Sequence, residues 1–160
     1  MFKIFAIFIC VYIFLNSDIC LAQDIPYDCM HTDTEFKCVR YIDCYDGDTC
    51  TVDIPNTHPY FGKDAHVRIY GINAPEITSK DLCEKKVAQK AKARVIELVS
   101  TAKQINLIDI GKEKFGRILA KIIADGQNVG SILLNEKLAY EYYGDTKKKI
   151  DWCIFSKTKK

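Results

Sequence analysis

The spacing of apolar and polar residues changes several times along the chain, and each change marks an element. Residues 4–15 are an unbroken apolar run behind one charge, Lys3, followed by a polar break at 16–18 and small residues at Cys20 and Ala22. That is the order of a secretory signal cut after Ala22, and the run is too short for the ~20 residues a membrane-crossing helix needs. The stretches 37–45 and 50–54 are β-branched and aromatic and flank Asp46-Gly47, a pair that favours a tight hairpin turn because both positions tolerate positive φ. A third strand is predicted over 65–72, reached through an exposed Pro- and Asn-containing loop at 55–63. From 81 to 100, Val87, Ala88, Ala91, Val95, Leu98 and Val99 recur at helical spacing with lysines on the other side, which predicts one long amphipathic helix. Two further strands follow at 104–110 and 117–124, and Val129, Ile132, Leu133 and Ala139 predict a short second helix. Five strands with a helix after the third is the order of an OB-type β-barrel in the α+β class.

Composition adds a compartment and a set of crosslinks. Removal of the signal leaves one domain of ordinary size and takes Cys10 and Cys20 with it, so Cys29, Cys38, Cys44, Cys50, Cys83 and Cys153 remain. An even number of cysteines in an exported chain reads as disulfides. Zinc is the competing use, but there is no Cys-x-x-Cys pair, and His31, His58 and His66 stand at no familiar ligand spacing. Many pairings are open to six cysteines; the preferred set is Cys29 with Cys38, Cys44 with Cys50, and Cys83 with Cys153. The net charge of +2 does not by itself announce a polyanionic partner. Lysines do crowd two places, Lys80 to Arg94 (with Lys85 and Lys86) and Lys147 to Lys160, where they would either steer a polyanion or simply cover a solvated helix face and a basic tail.

The candidate chemistry lies at strand ends. Asp46 and Asp48 bracket the first turn, where two carboxylates can converge on a hard cation such as calcium, which takes oxygen ligands. The strand holding Arg68 runs out through Gly71-Ile72-Asn73-Ala74-Pro75-Glu76. Pro75 biases Ala74 toward an extended backbone, which would turn its carbonyl outward as a ligand. Arg68 is either a phosphate clamp or half of a structural ion pair, and Phe115-Gly116-Arg117 supplies a second guanidinium with Glu113 close by. A cation site, two guanidinium groups and a free glutamate are the parts phosphodiester hydrolysis needs.

Asp46-Gly47-Asp48-Thr49, then Arg68 and Gly71-Ile72-Asn73-Ala74-Pro75-Glu76, then Gly116-Arg117 and Leu138-Ala139 occur in an order and spacing that resembles the staphylococcal (micrococcal) nuclease family. The resemblance spans residues 38 to 143. It implies a five-stranded OB barrel, calcium as cofactor, and endonucleolytic cleavage of DNA and RNA to 3′-phosphates. Residue by residue, it implies Asp48, Asn73 and the Ala74 carbonyl as calcium ligands with Asp46 behind them. It also makes Arg68 and Arg117 the grip on the scissile phosphate, and Glu76 the group that deprotonates or positions water.

The family pattern carries an aspartate where this chain has Asn73, which removes one negative charge and is expected to weaken calcium binding without abolishing activity. The alternative is a weak or inactive extracellular module that binds nucleic acid. Only a short tail with Trp152-Cys153 follows Tyr143, and Cys153 is expected to tie it to Cys83 at the head of the long helix. Tyr140, Tyr142 and Tyr143 would either stack on a base or pack the barrel rim. The organisation expected is a cleaved signal over 1–22, an extension over 23–37, the nuclease-like domain over 38–153 and a basic tail over 154–160. The protein is expected to be secreted or periplasmic, free of membrane once the signal is cut, and monomeric.

Overall fold

The computed structural model describes residues 27–157, so the expected signal and the last lysines of the tail lie outside the described residues. A 3-10 turn at Tyr27–Cys29 leads into β1 (Glu35–Phe36), β2 (Arg40–Cys44), β3 (Thr49–Asp53), α1 (Pro59–Gly62), β4 (Ala65–Ile69) and β5 (Gly71–Asn73). Then come α2 (Leu82–Ser100), β6 (Ile105–Lys112), β7 (Ile118–Ala124), β8 (Gln127–Asn128), α3 (Val129–Asn135), β9 (Tyr140–Tyr142) and α4 (Trp152–Phe155). No helix among the described residues is long and apolar enough to cross a membrane.

The main sheet has the order β1-β6-β7-β4-β3-β2, with β8 on β7, and every neighbouring pair is antiparallel except β4 with β7. The five long strands expected from the sequence are its body, and the fold is of the OB type. The ladder does not close on itself. The two ends meet through a backbone hydrogen bond from Val39 N–H to the Ile105 carbonyl (2.9 Å), with the Cys38 N–H donating to Asn106 Oδ1 (2.9 Å) beside it. On β7 the period of two is visible directly: Ala120, Ile122 and Ala124 are buried while the residues between them are half-buried.

The strand expected over 65–72 is two strands. Gly71 has φ +84°, a left-handed backbone that side chains resist, and this turns the chain out of the main sheet at Tyr70 so that β5 pairs with β9. The separation matters because β5 carries Asn73 away from β4, which carries Arg68.

The long helix forms where its pattern placed it. Asp81 caps it, its carboxylate accepting from the N–H groups of Cys83 (2.7 Å) and Glu84 (3.3 Å). Val87, Ala88, Ala91, Val95 and Val99 form the buried stripe, and Leu98 is half-buried. Disulfide bonds join Cys29 to Cys38, Cys44 to Cys50 across the first hairpin, and Cys83 to Cys153. The last of these brings α4 against the head of α2, where Trp152 packs with Val87 and Tyr140.

Candidate active site

The turn between β2 and β3 is four residues long, closed by Tyr45 N–H on the Thr49 carbonyl (2.9 Å). Gly47 is needed here for a reason other than the one its dipeptide suggested. It is not among the residues with positive φ; instead, a Cβ at this position would stand 2.7 Å from Ala91 Cβ and 2.8 Å from Ala74 Cβ. The Asp46–Asp48 turn is therefore pressed flush against α2 and against the segment that follows β5, and glycine is what permits the contact.

That contact brings the carboxylates to the other candidate residues. Asp48 Oδ1 lies 2.9 Å from Arg68 Nη1, and Oδ2 accepts from the Ala74 N–H at 2.7 Å. Asp46 Oδ1 accepts from the Asp48 N–H (3.0 Å), and the Thr49 hydroxyl donates to Asp48 Oδ1 (3.2 Å). Arg68 Nη2 donates to Asn73 Oδ1 (3.2 Å), while Asn73 Nδ2 donates to the Ala74 carbonyl (3.1 Å). Asp46, Asp48, Arg68 and Asn73 are all buried. Burial pushes the Asp48 carboxyl up to about 7 against the pull of Arg68, with the Asp46 charge adding to the rise.

Arg117 joins the cluster through Thr49, its Nη1 donating to Oγ1 at 3.2 Å, and pairs with Glu113 at 3.1 Å. Its hydrogen bonds hold the Glu113 carboxyl below the usual carboxylate range. Thr49 is thus the link between Asp48 and the second guanidinium, a role its place in the Asp-Gly-Asp-Thr motif did not disclose.

Glu76 stands apart from this network. Its N–H donates to Glu84 Oε1 (3.1 Å) at the head of α2, and its half-exposed carboxylate accepts from Lys147 Nζ at 2.6 Å. Partial burial would lower the Lys147 ammonium, but its bond to Glu76, with the charge of Asp48 added, raises it. Lys147 carried no signal in the sequence beyond membership of a lysine run. Tyr142 and Tyr143 line a cavity of about 230 Å³ together with Arg68, Gly71, Lys114 and Leu119. Lys85 and Lys86 are exposed on the first turns of α2 and line neither that cavity nor the depression beside Arg117.

A cation at this cluster would rest on hard oxygen donors: the carboxylates of Asp46 and Asp48, the Asn73 amide oxygen and the Ala74 carbonyl. That donor chemistry fits calcium and does not fit a soft metal. Among the described residues no group of three or more histidine, cysteine, aspartate or glutamate side chains is gathered to hold a metal, so such a site would carry two carboxylates. The Ala74 carbonyl does not point free, as Pro75 suggested it would; it accepts the Asn73 amide, and that bond would have to be given up for a cation.

Comparison with known proteins bears on the same residues. The family model described as staphylococcal nuclease homologue matches residues 66–158, more than half of the chain, and takes in Arg68, Asn73, Glu76 and Arg117. Endonuclease YncB and the SPbeta prophage-derived endonuclease YokF, both of Bacillus subtilis (strain 168), are each 35% identical over 107 residues, 64% of this chain. The aligned stretch is 48% of the first and 34% of the second, so the chain spans about half the length of one relative and a third of the other. With the OB-type fold and the ordered motif set, the match places this chain in the staphylococcal nuclease homologue family.

Proposed function

We propose that the protein is an exported, calcium-dependent endonuclease that hydrolyses phosphodiester bonds in DNA and RNA. The observation that carries this reading is the convergence of Asp48 and Asn73 on the Arg68 guanidinium, each within hydrogen-bond distance of it, with Arg117 joined to Asp48 through Thr49. Membership of the family and the endonuclease names of the two relatives support it. Export is supported by the signal-like pattern over 1–22 and by three disulfides, which persist in oxidising compartments.

In this reading Arg68 and Arg117 exchange their present partners for the oxygens of a scissile phosphate, where two planar donors suit its geometry and offset the charge that builds in the transition state. Bound calcium would supply further charge neutralisation on the same phosphate. Glu76 holds and deprotonates the attacking water, and its half-exposed position leaves it open to solvent. Asp48 keeps Arg68 in place until substrate arrives. Tyr142 and Tyr143 border a cavity next to Arg68 suited to the base of an adjoining nucleotide.

One observation favours the second reading, a module that binds nucleic acid and cleaves weakly or not at all. Asn73 is neutral, and its amide is spent on Arg68 and Ala74. Glu76→Gln separates the two. Under the nuclease reading the variant keeps its affinity for single-stranded DNA and loses at least about a hundredfold in cleavage rate; cleavage at the wild-type rate would remove Glu76 from the chemistry.

A further inference from the structure

The turn 112–117 is a wall between two depressions. Lys112 and Glu113 line both, Arg68 lines only the Tyr142/Tyr143 cavity, and Arg117 lines only the other, a broader hollow of about 620 Å³. Arg68 thus borders one depression and Arg117 the other, while Thr49 and Asp48 link the two guanidinium groups between them. The hollow beside Arg117 is lined by Phe36, Ile54, Ile110 and Ile118, with Tyr60 and Phe61 of α1 beside them.

Those two aromatic residues are unusual in their placement. Tyr60 is 82% exposed and Phe61 71%, with their rings edge to face at 5.0 Å. They do not sit on a loose loop. His58 Nδ1 accepts from the Tyr60 N–H (3.2 Å), the Thr57 hydroxyl donates to the Ile54 carbonyl (2.8 Å), and the Ile54 N–H donates to the Gly62 carbonyl (2.7 Å). Gly62 completes the mount, since a Cβ there would collide with the Thr57 hydroxyl and stand 2.6 Å from the Ile54 carbonyl. A tightly tied turn therefore holds two large rings out in water, next to a guanidinium and an apolar hollow. Exposed aromatic pairs on a fixed mount mark a contact surface, and unpaired bases are what such rings accept in sequence-tolerant fashion.

We propose that the hollow framed by Tyr60, Phe61 and Arg117 is a second base-stacking subsite for the same nucleic-acid strand, on the opposite side of the scissile phosphate from the Tyr142/Tyr143 cavity. The inference rests on the nuclease reading for the position of the phosphate between Arg68 and Arg117. Its consequence is a preference for single strands, because bases already stacked in a duplex cannot lie on the two rings.

The test compares binding of a fluorophore-labelled single-stranded oligodeoxynucleotide of about six nucleotides to Glu76→Gln protein with and without Tyr60→Ala and Phe61→Ala, in the presence of calcium, the Glu76→Gln change serving to keep the probe intact. The double alanine change is expected to weaken binding about tenfold, with Tyr60→Trp restoring most of the loss and a fully abasic strand of the same length binding both proteins alike. Equal affinity of the two proteins for the base-bearing strand overturns the subsite, as does an equal loss with the abasic strand, which would show that the rings act on the backbone or the fold. Cleavage by the wild-type chain is read separately. Absence of cleavage with a tenfold binding loss would refute the nuclease reading and leave the stacking site standing.

Discussion

Asp48 and Arg68 form an ion pair of 2.9 Å with side chains only 8% and 10% exposed, so each is the main compensation for the other's burial. Removing the guanidinium strands a buried carboxylate. Arg68→Ala is therefore expected to destabilise the protein by about 3–5 kcal/mol near pH 8, and by less near pH 5 where Asp48 takes up a proton. Arg117→Ala breaks a pair whose arginine is 28% exposed and should cost about 1 kcal/mol or less. Urea denaturation of both variants in chelator checks the contrast; equal losses would mean that the Asp48–Arg68 pair is not the structural one.

The same burial gives a pH dependence. Folded Asp48 holds its proton to about pH 7 against 3.8 for the free group, so the folded state binds that proton more tightly than the unfolded chain does. In chelator, this group makes stability fall as pH rises from about 4 to about 7. Calcium needs the charged form, so the rise in melting temperature on adding calcium should grow over that same window. A calcium-induced shift that stays flat from acid to neutral pH would show that Asp48 is not a ligand.

Gly47→Ala tests the packing of the Asp46–Asp48 turn. The new methyl would meet Ala74 and Ala91 at 2.8 and 2.7 Å, contacts that force the turn away from α2 and cost about 1–3 kcal/mol. Because Asp46 and Asp48 move with the turn, calcium affinity should fall along with the melting temperature. A variant with wild-type calcium binding and only reduced stability would show that the carboxylates are positioned by something other than this contact.

How much of this was legible in the sequence follows from range. Period and capping chemistry are local, so α2, with Asp81 as its cap and Val87 to Val99 as its stripe, could be read directly, as could the five long strands. The chemical set was legible because it is carried by ordered short motifs. What escaped depends on contacts between distant segments. Gly47 reads as a turn glycine until Ala91 is found against it, and the 65–72 strand reads as continuous until Gly71 is seen at positive φ. Lys147 stands 71 residues from its partner Glu76 and looks like any member of a lysine run. Tyr60 and Phe61 fell in a stretch marked only as exposed loop, and nothing local revealed the hydrogen bonds that tie the loop to Ile54.

Lys147 gives a kinetic prediction. Both halves of its pair with Glu76 hang from the first turn of α2, Glu76 through Glu84 and the tail through the bond from Cys83 to Cys153. If the pair aims Glu76, Lys147→Met should lower kcat about tenfold with KM little changed, Lys147→Arg should recover most of it, and replacing both Cys83 and Cys153 by serine should mimic the methionine variant. Unchanged kcat in Lys147→Met would reduce the pair to a solvated surface contact.

Titrating calcium against cleavage of single-stranded DNA, by the oxidised wild-type protein and by Asn73→Asp, decides whether this is a calcium-dependent nuclease built on a site with one carboxylate fewer than its family's pattern. No cleavage is expected in chelator, cleavage by both proteins at saturating calcium, and a lower half-maximal calcium concentration for Asn73→Asp. Cleavage that persists in chelator, or binding without cleavage at any calcium concentration, would contradict it.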